Sequence, residues 1–203
     1  IPYFLSIYNF SFLDSYFESV SGLTTTGFSI IKNVRYIDEP LLLWRSSSQW
    51  LGGLIFLIAT IGTIGSKQIR IKPAYLISGG ASGRNFYNNF IYNFSKIFLI
   101  YFFSTLLIIF LYRIIDLRFL DAFNLAFTTI SSGGFLSEND LSNIVSSNKE
   151  ILILSLTLLI PIFNFFIFYD IITRKFFLRN YREDLHLISL IILLTLFLYF
   201  IFF

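Results

Sequence analysis

Cysteine is absent from this 203-residue chain, and with it any disulfide, thiolate metal site or cysteine nucleophile. Histidine occurs once, at His186, which excludes a multi-histidine metal centre. Methionine is absent too. The chain opens Ile1-Pro2 and stops inside the apolar run 188–203, so it reads as an internal piece of a longer protein. No signal peptide can be read from such a start. Charge is scarce: Asp, Glu, Lys and Arg make up 13% of residues, where a soluble domain carries about a quarter. The net charge of +3 gives no reason to expect nucleic acid. What is present is apolar. Hydrophobic residues reach 56%, aromatics 20%, and mean hydropathy is +0.74, so a bilayer is the expected solvent. The Phe, Ile, Asn and Lys bias suits an AT-rich bacterial genome.

Against that background one stretch stands out: Ser21-Gly22-Leu23-Thr24-Thr25-Thr26-Gly27-Phe28-Ser29. It is small, hydroxylated and glycine-containing. Irregular backbone at membrane depth is tolerated only where protein buries it or it lines a water-filled path. Such a loop can turn several carbonyls one way, and carbonyl rings replace the water shell of an alkali cation. A flexible linker between helices is the plain alternative.

The rest of the chain falls into place around it. Ser11 is placed to cap a short helix from Phe12 to Gly22. Leu41 to Gly65 is long enough to cross a membrane, which takes about 20 residues. Arg45, Gln49 and the interfacial candidates Trp44 and Trp50 lie in its first half. Gly52-Gly53 and Gly62 permit close helix packing. Further spans are expected over 97–112, extended into 90–94, over 151–169, and over 185–203. Asp116 is the expected cap of a second short helix, Phe119 to about Thr129. The small-residue stretch Ile130-Ser131-Ser132-Gly133-Gly134-Phe135 follows it. With both stretches on the outer side, the inner connectors carry net +6 and the outer segments net −3. That is the Lys/Arg asymmetry of an inserted membrane protein.

The two halves repeat. Phe12-Leu13-Asp14 recurs as Phe119-Leu120-Asp121, 107 residues on. The same spacing carries Leu23-Thr24-Thr25 onto Ile130-Ser131-Ser132 and Gly27-Phe28 onto Gly134-Phe135. Internal repeats are common in transport proteins. Each short helix would aim the negative end of its dipole at its loop, which favours a cation there. Neither loop contains a carboxylate, so any selection would come from backbone oxygens, aided by Thr and Ser hydroxyls.

These residues resemble the Trk/Ktr/HKT superfamily of potassium transporters, and its bacterial TrkH-type members most of all. Three motifs carry the resemblance: Glu18 through Gly27; Leu42-Leu43-Trp44-Arg45-Ser46 with Gln49-Trp50-Leu51-Gly52-Gly53; and Phe127 through Phe135. The resemblance implies an all-α polytopic membrane protein with repeated helix–pore-loop–helix units of potassium-channel type around one central pore. Residues 1–66 would be the end of a first repeat (pore helix, filter loop, outgoing helix). Residues 67–96 would be a cytoplasmic connector, 97–170 a second repeat, and 171–203 a connector with the first helix of a third. Thr24, Thr25, Thr26 and Gly27, with Ile130, Ser131, Ser132, Gly133 and Gly134, would be the filter residues holding K⁺. The repeat spacing pairs Gly27 with Gly134, whereas the family alignment pairs it with Gly133. The expected function is K⁺ uptake across the bacterial inner membrane, with no cofactor and no transition-metal site. The expected partners are membrane lipid, the remaining repeats, a second copy, and a cytoplasmic nucleotide-binding regulatory subunit like TrkA. One departure is Ile160-Pro161-Ile162-Phe163 before Asn164-Phe165, where the family carries Gly-Gly.

Two other readings compete. A two-pore-loop channel completed by dimerisation shares the chemistry, but Arg179 to Phe203 looks like the start of a third repeat. A polytopic membrane enzyme would need paired acids or a nucleophile with a base, and no such pairing is visible. Arg45 reads as structural. Phe28 and Phe135 read as packing residues behind the loops, Asn164 as an interhelical hydrogen-bonding residue, and His186 as interfacial.

Overall fold

The computed structural model describes residues 2–64, 83–161, 186, 188–195 and 197. It falls into two compact units, Ile1–Pro161 and Ile162–Phe203. Among the described residues, the first contains five α-helices: α1 (Phe12–Leu23), α2 (Glu39–Ile64), α3 (Gly83–Ile114), α4 (Phe119–Ser131) and α5 (Asn148–Leu158). Short 3₁₀ turns at Val34–Tyr36 and Leu141–Asn143 interrupt the segments that follow α1 and α4. There is no strand among the described residues. Of the second unit, the described positions 186, 188–195 and 197 are helical. Residues 67–82 of the expected connector, Asn164 and residues 171–185 of the expected second connector lie outside the described residues.

Helix α1 starts where its sequence says. Ser11 Oγ accepts from the Asp14 amide at 3.1 Å, and the Asp14 carboxylate accepts from the Ser11 amide at 3.3 Å. Two orphan donors are thereby satisfied reciprocally. The start of α4 differs from expectation. Asp116 is not its cap; Asp116 turns the chain after α3 with φ of 61°, and Arg118 occupies the N-cap position. Aspartate is among the few residues that adopt this left-handed conformation readily. Arg118 then pairs with Asp121 in the first turn at 2.8 Å. Helix α3 begins at Gly83, ahead even of the expected extension into 90–94, so part of the expected connector is helical. Helix α5 ends at Leu158, and a turn leads to Pro161.

Burial runs opposite to that of a water-soluble helix. α1 buries Ser15, Glu18, Ser21 and Gly22 and exposes Phe12, Leu13, Tyr16, Phe17, Val20 and Leu23. A helix that hides its polar face and presents its apolar one suits a hydrocarbon surround. Among the described residues, two helices are long and apolar enough to cross a membrane, over Glu39–Thr60 and Phe94–Ile114.

Helix α2 is the centre of the unit, packed against both short helices. Its adjacent glycines face different neighbours. A Cβ on Gly52 would fall on the Leu23 carbonyl oxygen at the end of α1. A Cβ on Gly53 would lie 2.8 Å from Ser131 Cβ at the end of α4. Trp50 is not an interfacial anchor. Its indole N–H donates to Thr105 Oγ1 at 2.9 Å, and its ring stacks on Phe127 at 5.4 Å. Trp44, by contrast, is 43% exposed. Behind α4, the fully buried Tyr112 hydroxyl bridges Thr129 Oγ1 at 3.1 Å and Thr157 Oγ1 at 2.6 Å. It thereby ties α3, α4 and α5 together.

Two outcomes follow from this packing. Tyr112→Phe deletes that bridge and should lower stability by about 1 kcal/mol, read as a fall in thermal midpoint of the detergent-solubilised protein. Gly52→Ala meets backbone and not a movable side chain, so it should cost more, about 1–3 kcal/mol. Equal midpoints for Gly52→Ala and wild type would contradict the close approach of α2 to α1.

Candidate functional site

The C-terminal turns of α1 and α4 are built alike. Thr26 N–H donates to the Ser21 carbonyl at 3.0 Å, and Gly133 N–H to Thr128 at 2.9 Å. Thr25 N–H donates to Gly22 at 3.0 Å, and Ser132 N–H to Thr129 at 3.1 Å. These are the paired bonds of a Schellman ending, which satisfies carbonyls orphaned at a helix terminus. The side chains match as well: Thr24 Oγ1 donates to the Val20 carbonyl at 2.7 Å and Ser131 Oγ to Phe127 at 2.8 Å. Every one of these pairs is 107 residues apart.

Backbone handedness repeats with the same spacing. Thr25 and Ser132 have φ of 53° and 54°, and Gly27 and Gly134 have 80° and 86°. A Schellman ending usually places glycine where Thr25 and Ser132 stand. A side chain there costs about 1–3 kcal/mol, and such strain clusters at functional sites. Left-handed residues set in alternation along a short run let successive carbonyls face one side, where an ordinary strand would alternate them. In conformation Gly134 is therefore the counterpart of Gly27.

The two loops meet. A Cβ on Gly27 would fall on the Gly133 carbonyl oxygen and lie 3.2 Å from Gly134 Cα. Thr24, Thr26, Ser132 and Gly134 are exposed, and Thr25 and Gly27 are half-buried. Ile130, Ser131 and Gly133 are buried. The Gly133 carbonyl is held from behind. Gln49, on α2 and fully buried, donates through Nε2 to this oxygen at 2.8 Å. Its Oε1 accepts from the Phe135 amide at 3.1 Å and from Thr128 Oγ1 at 3.0 Å. One amide thus clamps the loop on both sides of Gly134, with its orientation fixed by its partners. The first loop is held from α1 by Ser21 Oγ, which donates to the Phe28 carbonyl at 2.6 Å.

A buried ion pair stands behind the first loop. Glu18 is 0% exposed and Arg45 2%, with Arg45 Nε 3.7 Å from Glu18 Oε2. Glu18 Oε1 accepts from Ser29 Oγ at 2.6 Å and from the Ile30 amide at 2.8 Å. Arg45 is structural, as expected, but through burial and pairing and not by reaching an interface. Phe135 packs behind its loop as expected, whereas Phe28 is 71% exposed.

Electrostatically, the loops receive the negative ends of two helices. No carboxylate lies between Glu18 and Asp38 or between Asp121 and Glu138. No cluster of metal-ligating side chains exists among the described residues. What the arrangement offers is peptide oxygen and hydroxyl, ligands suited to a hard cation. The sequence motifs contain Glu18 and Gln49 but do not show which loop groups they hold. A polar side chain in an otherwise apolar helix is the signal that could have singled out Gln49.

No protein-family model matches the chain. It is 33% identical over 178 residues, 87% of its length, to an uncharacterized cation transporter of Methanocaldococcus jannaschii. It is 29% identical over 158 residues, 75% of its length, to the Trk system potassium uptake protein TrkH of Halomonas elongata. To the Trk system potassium uptake protein TrkG of Escherichia coli it is 25% identical over 170 residues, 82% of its length. The chain covers 37%, 32% and 35% of these relatives, about a third of each. The crystal structure of the potassium transporter TrkH from Vibrio parahaemolyticus superposes with a TM-score of 0.60 at 26% identity, covering 75% of this chain and 30% of that one. With likeness over three quarters or more of its length and the same helical membrane fold, the chain belongs to the TrkH-type family of transporters.

Proposed function

We propose that this chain is the part of a K⁺ uptake protein that supplies two of four carbonyl-lined segments of a selectivity filter. The observation that carries this reading is the paired geometry of Thr24–Gly27 and Ile130–Gly134. Two half-membrane helices end in the same strained turn, with left-handed residues at matching positions, and their loops abut at Gly27. The names of the relatives, potassium uptake proteins among them, support K⁺ as the ion. Backbone carbonyls replace the hydration shell at such a site, with the helix dipoles lowering the cost of the bare ion. Gly134 is proposed as the partner of Gly27 in the filter. Gly133 would instead set its depth, because its carbonyl is engaged by Gln49.

On this reading residues 1–66 close one repeat, 67–96 form a cytoplasmic connector, 97–170 form the next repeat, and 171–203 lead into a third. The remaining repeats complete the ring. A second copy and a cytoplasmic nucleotide-binding subunit are the proposed partners, and the cell's inner membrane is the proposed location.

Gly27→Ser tests the filter. The serine meets the Gly133 carbonyl and needs a left-handed backbone, so the two loops should part. In the full-length protein, K⁺ over Na⁺ discrimination should fall by about tenfold or more, measured as the uptake ratio in K⁺-uptake-deficient cells. An unchanged ratio would refute the reading. Gln49→Leu removes the clamp while keeping an apolar core. It leaves the Phe135 amide and the Gly133 carbonyl unpaired, at about 1–3 kcal/mol each. Discrimination and thermal midpoint should drop together, checked by ion uptake and thermal unfolding of the same preparation.

A further inference from the structure

We propose that Glu18 and Arg45 are a positioning pair, a strut that fixes the two loops relative to each other and so sets preference among monovalent cations. The inference rests on reading those loops as an ion filter.

The pair reaches both loops at once. Glu18 Oε1 takes hydrogen bonds from Ser29 Oγ and the Ile30 amide, two and three residues past Gly27. Arg45 Nη2 donates to the same Ser29 Oγ at 3.1 Å. The other side of the guanidinium covers Phe135, the residue after Gly134, with Cζ 4.3 Å from the ring centroid. Phe135 in turn donates its amide to Gln49, one helical turn beyond Arg45 on α2. A single face of α2 therefore grips the exit of each loop, Arg45 both and Gln49 the second.

An ion pair is a poor choice if its task is only to hold α1 against α2. Apolar residues of similar volume in place of a buried pair are often as stable or more so. The chain itself gives the comparison. Position 125, the repeat equivalent of Glu18, is a leucine buried to 2% exposure in α4. Packing at that place on a pore helix is thus met without charge. Leucine cannot accept from a loop amide and a loop hydroxyl, as Glu18 does. Lysine in place of Arg45 keeps the charge but lacks the planar fork that serves Glu18, Ser29 and Phe135 together.

The test uses the full-length protein in proteoliposomes, reading the K⁺ to Na⁺ permeability ratio beside the thermal midpoint. Arg45→Lys retains charge, and Phe135→Leu retains apolar bulk while removing the ring face. Each should lower the ratio by about fivefold. Phe135→Tyr, which keeps the face, should hold it within about twofold of wild type. Should Arg45→Lys not fold, Phe135→Leu decides alone. A wild-type ratio in a folded Phe135→Leu or Arg45→Lys protein would overturn the inference, provided that Gly27→Ser lowers it. An equal fall in Phe135→Tyr would assign the effect to packing and overturn it too. Gly27→Ser at the wild-type ratio would sink the filter reading itself, and the strut with it.

Discussion

A peptide group that leaves a helix inside a membrane has no water to turn to, and the protein must supply its partner. Everything around the two small-residue loops answers that demand. The C-terminal turns of α1 and α4 fold their own amides back onto Ser21, Gly22, Thr128 and Thr129. Past the turns, side chains take over: Ser21 for the Phe28 carbonyl, Glu18 for the Ile30 amide, Gln49 for the Gly133 carbonyl and the Phe135 amide. On the proposed reading, the remaining loop oxygens are the ones that would meet a cation.

This explains why α2 carries such unusual residues for a membrane helix. Arg45 and Gln49 are expensive in hydrocarbon and are buried in protein instead. Gly52 and Gly53 let the same helix approach the ends of both short helices at backbone distance. Removing bulk at two adjacent positions and adding polarity one and two turns earlier turns a spanning helix into a mount for two loops. Aromatic packing by Trp50 against Phe127 and Tyr101 holds it there from the other side.

The symmetry of the two loops is a backbone symmetry and not a side-chain one. Hydrogen bonds and left-handed residues recur at one spacing, yet the supports behind them differ. Glu18 hydrogen-bonds only the first loop, whereas the second adds an uncharged amide and the Tyr112 bridge between Thr129 and Thr157. On the proposed reading, such a framework would let unequal segments share one ion.

The apolar composition, the paired short helices and the repeat at Phe12 and Phe119 were all legible in the sequence. So were the two loops and the family resemblance, because hydrophobic period, capping residues and glycines are local signals. Local signals also misled: Asp116 looks like a cap but turns the chain, and Trp50 looks like an anchor but packs between helices. The choice between Gly133 and Gly134 as the conformational partner of Gly27 needed φ angles, which a run of two glycines leaves open because either can adopt them. The roles of Glu18, Arg45 and Gln49 depend on partners such as Gly133, 84 residues from Gln49. The chain alone determined that two peptide-lined loops would sit in an apolar protein. Only the tertiary structure decided that they touch and what braces them, because burial and hydrogen bonding between distant residues are properties of the packed helices and not of any segment.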